Sequence, residues 1–157
     1  MRANEVFSWL GPERTRRLLE ELLKETPGAA AVALGAAAEA FRLRPQFLRR
    51  QPIEKRAEWV RRALSRPSSA PAAEQVLAEY FLSAHRPLLL ELLDALGVQH
   101  EEGELQELSP ACPEAKKLRQ TVTSFRKGEG PEMRELLLRA FAAQSAISWP
   151  ALEEMLT

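Results

Sequence analysis

TPGAAAVALGAAAEAFRLRP, from Thr26 to Pro45, decides the fold. Between Pro27 and Arg42 the only charged residue is Glu39. Alanine, leucine and valine surround it without the alternation a strand requires, so the stretch predicts a helix from about Ala29 to Leu43. Such a helix is apolar nearly all round, and a helix with almost no polar face belongs in the middle of a bundle. Ala31 and Gly35 stand four residues apart, which lets a neighbouring backbone come close. Arg44-Pro45 ends the helix, because the residue before proline avoids helical angles. The apolar run falls far short of the roughly 20 residues a membrane span needs.

Proline and glycine punctuate the chain on either side. Upstream, Val6, Phe7, Trp9 and Leu10 form a short amphipathic start. Gly11-Pro12 then opens a helix with Leu18, Leu19, Leu22 and Leu23 on one stripe. Downstream, a turn around Phe47 and Leu48 leads to a helix opened by Pro52, with Ile53, Ala57, Val60 and Leu64 inward. RPSSAP, Arg66 to Pro71, reads as a loop. Helices follow with Ala73, Val76, Leu77, Tyr80 and Phe81 inward, then Leu89, Leu92, Leu93 and Leu96. Gly97 is a left-handed stop on which Val98 can pack back toward Leu93. Val98 to Pro113 is the least helical part, with room for a hairpin around Glu102-Gly103. Three more helices are expected: Glu114 to Lys127, Pro131 to Ala143, and one from Pro150. The expectation is an all-α, compact bundle of about seven or eight helices in one domain over residues 1–157.

A 79-residue offset hints at a helix-pair unit used twice. Pro52 and Pro71 have the same spacing as Pro131 and Pro150, and PAAEQVL at Pro71 resembles PALEEML at Pro150. No third copy is visible, and proline favours the first turn of any helix. A compact bundle is the simpler reading.

An apolar fraction of 45% with 28% charged residues describes a globular rather than a disordered chain. A net charge of zero excludes polyanion binding by bulk charge and leaves only uneven distribution. That distribution is uneven. Arg42 to Arg66 holds nine cations against Glu54 and Glu58, whereas Pro87 to Ala115 holds seven acidic residues and no Lys or Arg. The two segments either neutralise each other or remain as opposite patches. The single cysteine, Cys112, rules out an internal disulfide. With no signal-like start, this points to a cytoplasmic protein, and 17 arginines against five lysines hint at a GC-rich bacterial genome.

Catalytic motifs are sparse. There is no phosphate loop, no nucleophile elbow and no paired-histidine metal motif. Only His85 and His100 exist. His100, Glu101, Glu102, Glu104 and Cys112 carry metal-ligating atoms but match no zinc spacing, so neither metal nor cofactor is expected. The basic stretch carries more. Lys55, Trp59, Arg62 and Arg66 recur every three or four residues and share a helix face opposite the Ile53–Leu64 stripe; Arg49 and Arg50 extend it. Arginine and tryptophan are favoured anchors of protein interfaces. The function expected is a non-catalytic protein-interaction or adaptor module using Arg49, Arg50, Lys55, Trp59, Arg62 and Arg66. Its partner is an acidic protein, or a second copy through the acidic 91–107 segment. A nucleic-acid-binding regulator using the same residues is the alternative, and an enzyme with a site assembled from distant residues is third.

Overall fold

In the computed structural model, which describes all of residues 1–157, nine α-helices carry the chain. In order they are α1 (Ala3–Glu25), α2 (Pro27–Phe41), α3 (Pro45–Arg50), α4 (Ile53–Leu64), α5 (Ala70–Ala84), α6 (Arg86–Leu96), α7 (Ala115–Arg126), α8 (Pro131–Ala142) and α9 (Pro150–Leu156). A two-residue-per-strand hairpin, β1 (His100–Glu101) and β2 (Glu104–Leu105), sits between α6 and α7 and pairs antiparallel. The fold is all-α.

The helices start on prolines. Pro27, Pro45, Pro71, Pro87, Pro131 and Pro150 all occupy the first two positions of their helices, and none of those helices has a side-chain N-cap bond. Proline costs nothing there, because its missing N–H has no intrahelical partner in any case and its φ is already helical. The expected glycine stop is also present: Gly97 is left-handed (φ 71°), and the Val98 N–H reaches back to the Leu93 carbonyl at 3.0 Å. Glu102 and Gly103, both at positive φ, turn the hairpin.

α1 departs from the expected pattern. Residues before Gly11 are helical too, and the helix bends through Gly11 at φ 71°, ψ 177°, a region open essentially to glycine alone. The bend frees carbonyls that side chains then satisfy. The Arg14 guanidinium donates to the Leu10 and Trp9 carbonyls, each at 2.8 Å, and the Thr15 hydroxyl donates to the Gly11 carbonyl at 2.7 Å. Arg14 and Arg139 also lie over the Trp9 ring, at 4.1 and 4.4 Å from its centroid, clamping α1 to α8.

α1 and α5 form the centre. α1 packs on α2, α4, α5 and α8, while α5 packs on α1, α2, α6 and α8. One continuous core takes residues from every helix, including Phe7, Leu19, Leu22, Leu48, Leu64, Tyr80, Phe81, Leu92, Phe141 and Trp149. Trp149 is sealed inside, its indole N–H donating to the Pro110 carbonyl at 2.8 Å.

α2 is a correction. It lies on the surface, not in the middle: Gly28, Ala31, Gly35 and Glu39 form an exposed stripe, while Ala29, Ala30, Ala33 and Ala37 face the core. Small residues give α2 little to bury outward, and the chain supplies no helix to cover that stripe. The two halves of the repeat share an environment only in part: Ala57, Ala63, Leu64, Ala73 and Leu77 are buried like Leu136, Ala142, Ala143, Leu152 and Leu156, but not every position agrees. Trp59 and Arg62 of α4 align with Leu138 and Phe141 of α8, yet those two are fully buried while Arg62 is exposed and Trp59 half-buried.

Two glycines therefore differ in sign. Gly11→Ala is expected to lower unfolding free energy by about 1–3 kcal/mol through the forbidden φ/ψ. Gly35→Ala, at an ordinary helical position with open space around its added methyl, is expected to raise it by about 0.5–1 kcal/mol. Urea denaturation followed by circular dichroism measures both.

Candidate functional site

The turn after α2 brings the basic stretch together. α2 ends with Arg42 in the left-handed conformation (φ 52°), which swings the chain into α3. α3 buries only Leu48, leaving Phe47, Arg49 and Arg50 exposed. α4 then buries Ala57, Val60, Ala63 and Leu64 and turns Lys55 and Arg62 to solvent. The last turns of α2 and α4 meet, since Arg62 and Arg66 lie over the Phe41 ring at 5.2 and 4.7 Å. The Arg66 guanidinium also donates to the Ala40 carbonyl at 3.3 Å, a cation at the negative end of α2.

Trp59 is half-buried and packs on Phe47, ring centroids 5.9 Å apart and tilted by 54°. It sits at the edge of the core with its outer side among Lys55 and Arg62. Phe47 is 46% exposed, unusually open for so large an apolar side chain. Phe41 and Phe47 are members of this surface that helix periodicity alone does not assign to it. Arg50 lies at the end of α3. Arg49 is set apart from the α4 row and turns toward α2, where it borders a groove with Ala31, Gly35 and Leu48.

The electrostatics of this surface are one-sided. Of the nine cations from Arg42 to Arg66, only Arg61 forms an ion pair, with Glu58 at 2.8 Å. The hydrogen bonds from Arg61 hold the Glu58 carboxyl below the usual carboxylate range. Arg56 is half-buried and its Nε has no partner. Elsewhere arginines are spent: Arg126 and Arg139 share Glu135, and buried Arg134 takes Glu91 as well as the Phe125 and Glu129 carbonyls.

The acidic segment does not neutralise the basic one. Its ion pairs are Glu91–Arg134 and Glu102–Arg86, and Asp94 is held by His100, all within the second half of the chain. His100 accepts the Gly103 N–H at Nδ1 and holds Asp94 through Nε2 at 2.6 Å, which makes it a brace for the hairpin turn. Cys112 is exposed, and partial burial raises its thiol pKa, away from nucleophile character.

A second cluster is invisible to sequence spacing. Glu21 of α1 accepts the Tyr80 hydroxyl at 2.6 Å, and His85 Nε2 lies 2.6 Å from its other oxygen. Glu21 and Tyr80 border a cavity of about 320 Å³ with Trp9, Arg17 and Met133. Burial foremost, and then the Glu21 carboxylate, push the Tyr80 hydroxyl pKa far above its ordinary value. The phenol is thereby fixed as a neutral donor, the opposite of a catalytic base. Glu21 lies some sixty residues before its partners, and no local pattern announces such a meeting.

No protein-family model, no curated protein and no solved structure matches this chain.

Tyr80 is the only tyrosine, so tyrosinate absorbance reports on it alone. Its folded pKa is raised, so the stability this confers is complete below pH 10 or so and is lost as pH climbs toward the folded value. Alkaline titration is expected to show tyrosinate appearing only together with loss of helical circular dichroism. In Glu21→Gln the ionisation is expected at lower pH, though still raised by burial.

Proposed function

We propose that this protein is a non-catalytic helical interaction module that docks an acidic protein partner on the surface built by α3, α4 and the end of α2. One observation carries the reading: eight of the nine cations from Arg42 to Arg66 form no ion pair, in a stretch that exposes Phe47, half-exposes Trp59 and lays Arg62 and Arg66 over Phe41. Unpaired guanidinium groups with exposed aromatic carbon beside them suit carboxylates flanked by apolar side chains, the usual anchors of a protein interface.

Arg49, Arg50, Lys55, Trp59, Arg62 and Arg66 are the partner-binding residues of this reading, and Phe47 joins them. Arg66 has the smallest share, because one of its nitrogens is committed to the Ala40 carbonyl. Glu101, Glu104 and Glu107, all exposed and free of ion pairs, give a second copy the same chemistry as an acidic partner.

Nucleic acid is the second reading, favoured by the cation density alone. It fits the aromatic geometry less well. Two guanidinium groups already lie over Phe41, and Phe47 tilts against Trp59, so these rings offer no open parallel platform for bases. The net charge of zero is also far from that of a typical nucleic-acid domain.

Fluorescence anisotropy with a labelled peptide of alternating glutamate and leucine, duplex DNA and single-stranded RNA separates the readings. The peptide is expected to bind, to lose roughly tenfold in affinity in Lys55→Glu/Arg62→Glu, and to weaken only modestly between low and physiological salt. Nucleic-acid binding that collapses with salt and vanishes in the same variant would put the second reading first. Sedimentation equilibrium reports self-association.

A further inference from the structure

The outward stripe of α2 lies open along a groove. Gly28, Ala31, Gly35 and Glu39 are exposed at spacings of three and four, so they line one side of the helix for about three turns, roughly 17 Å. Against this stripe α3 raises a second wall. The groove between them holds about 370 Å³ and is lined by Leu23, Ala31, Leu34, Gly35, Leu48 and Arg49 among others. Leu23 is 37% exposed beside it, an apolar side chain left at the groove's end.

We infer that this groove receives one amphipathic helix of the acidic partner, its apolar face on Ala31, Gly35 and Leu34 and its acidic flank toward Arg49. The inference rests on the reading of the basic surface and names the element of the partner that docks beside it.

Three features select that occupant. Ala31 and Gly35 project almost nothing, so a second helix axis can approach to about 8 Å, the near limit of helix packing. The backbone groups of α2 are consumed by their own helical bonds, so an extended peptide would find no edge to pair with and would bury its amides unpartnered on an apolar wall. A helix brings its own hydrogen bonds and needs only the apolar contact. Charge completes the selection. Arg49 is the one charged residue lining the groove, exposed and in no ion pair. Arg44 and Arg50 are exposed at the two ends of α3, and Glu39 is the one carboxylate on the stripe. A flank of glutamate or aspartate on the α3 side is therefore complementary, and a flank of lysine is repelled.

The test uses the full-length protein, immobilised, against displayed peptides of about 14 residues, four helical turns, each position drawn from Ala, Leu, Gln, Glu and Lys. Binders are expected to carry Leu or Ala at i, i+3, i+4 and i+7, with Glu well above Lys at the flanking positions. Two variants locate them. Gly35→Leu fills the groove without changing charge; its Cβ meets nothing within 4 Å and leucine favours helix over glycine, so the variant folds, as circular dichroism checks. It is expected to weaken the selected peptides at least roughly tenfold. Arg49→Glu is expected to shift the preferred flank from Glu toward Lys.

No patterned enrichment, or enriched binders indifferent to Gly35→Leu, would overturn the inference. Binders indifferent to Gly35→Leu yet lost in Lys55→Glu/Arg62→Glu would overturn the groove and leave the basic surface standing. Failure of these peptides and of the glutamate–leucine peptide together would remove both. A dimer seen by sedimentation that Gly35→Leu converts to monomer would assign the groove to a second copy, which also overturns it.

Discussion

The bend at Gly11 is the constraint on which the bundle hangs. A straight helix of the length of α1, 23 residues, would run about 34 Å in one direction, nearly the full width of a compact domain of this size, about 39 Å. The bend lets the first part of α1 bring Phe7 and Leu10 into the core while the second part delivers Leu18, Leu19 and Leu22. Such a bend is affordable only because Arg14 and Thr15 take up the carbonyls it releases. Arg14 and Arg139 of α8 both lie over the Trp9 ring. A single glycine thus sets where α1 meets α8, and the position of α1 sets Glu21 against Tyr80 and His85.

The same skeleton explains the separation of charge. The basic helices pack on one side of the central pair, α4 chiefly on α1 and α2 on both, while α6 packs on α5 and α7. The acidic hairpin follows α6, and its ion pairs close within that half of the chain. Opposite charges adjacent in sequence composition are therefore kept apart by the two helices between them. Net neutrality describes the sum and not the field at either surface.

Most helices were legible because their signals are local. A proline at a first turn, a stripe every three or four residues and a left-handed glycine each act within one turn, and α3 through α9 follow them. The hairpin turn at Glu102-Gly103 was legible for the same reason. Two features were not. Glycine followed by proline reads as a start, and only the carbonyl acceptors of Arg14 and Thr15 show that helix precedes it as well. Hydropathy states what α2 is able to bury, but the covering partner depends on every other helix, and this chain provides cover on one side only. At the candidate site, Lys55, Trp59 and Arg62 lie on α4 at the spacing of one face, whereas Arg66 falls beyond the helix end at Leu64, in extended backbone, and reaches the Phe41 ring from there. That Arg49 turns to α2, and that Phe41 lies under two arginines, depends on the left-handed turn at Arg42. Neutralisation is local for Arg61, whose partner is three residues away, as it is for Arg16 and Arg139, whose partners are three or four residues away. Arg126 and Arg134 find theirs on other helices.

The three tryptophans occupy three different optical environments. Trp149 is sealed in the core with its N–H bonded to Pro110, and Trp9 has two guanidinium groups over its ring. Trp59 alone combines partial exposure with a neighbouring aromatic and free cations. Its emission is the tryptophan component placed to respond to any molecule that settles on the basic surface. Replacing Trp9 and Trp149 by phenylalanine would leave a chain that reports on that surface without a label.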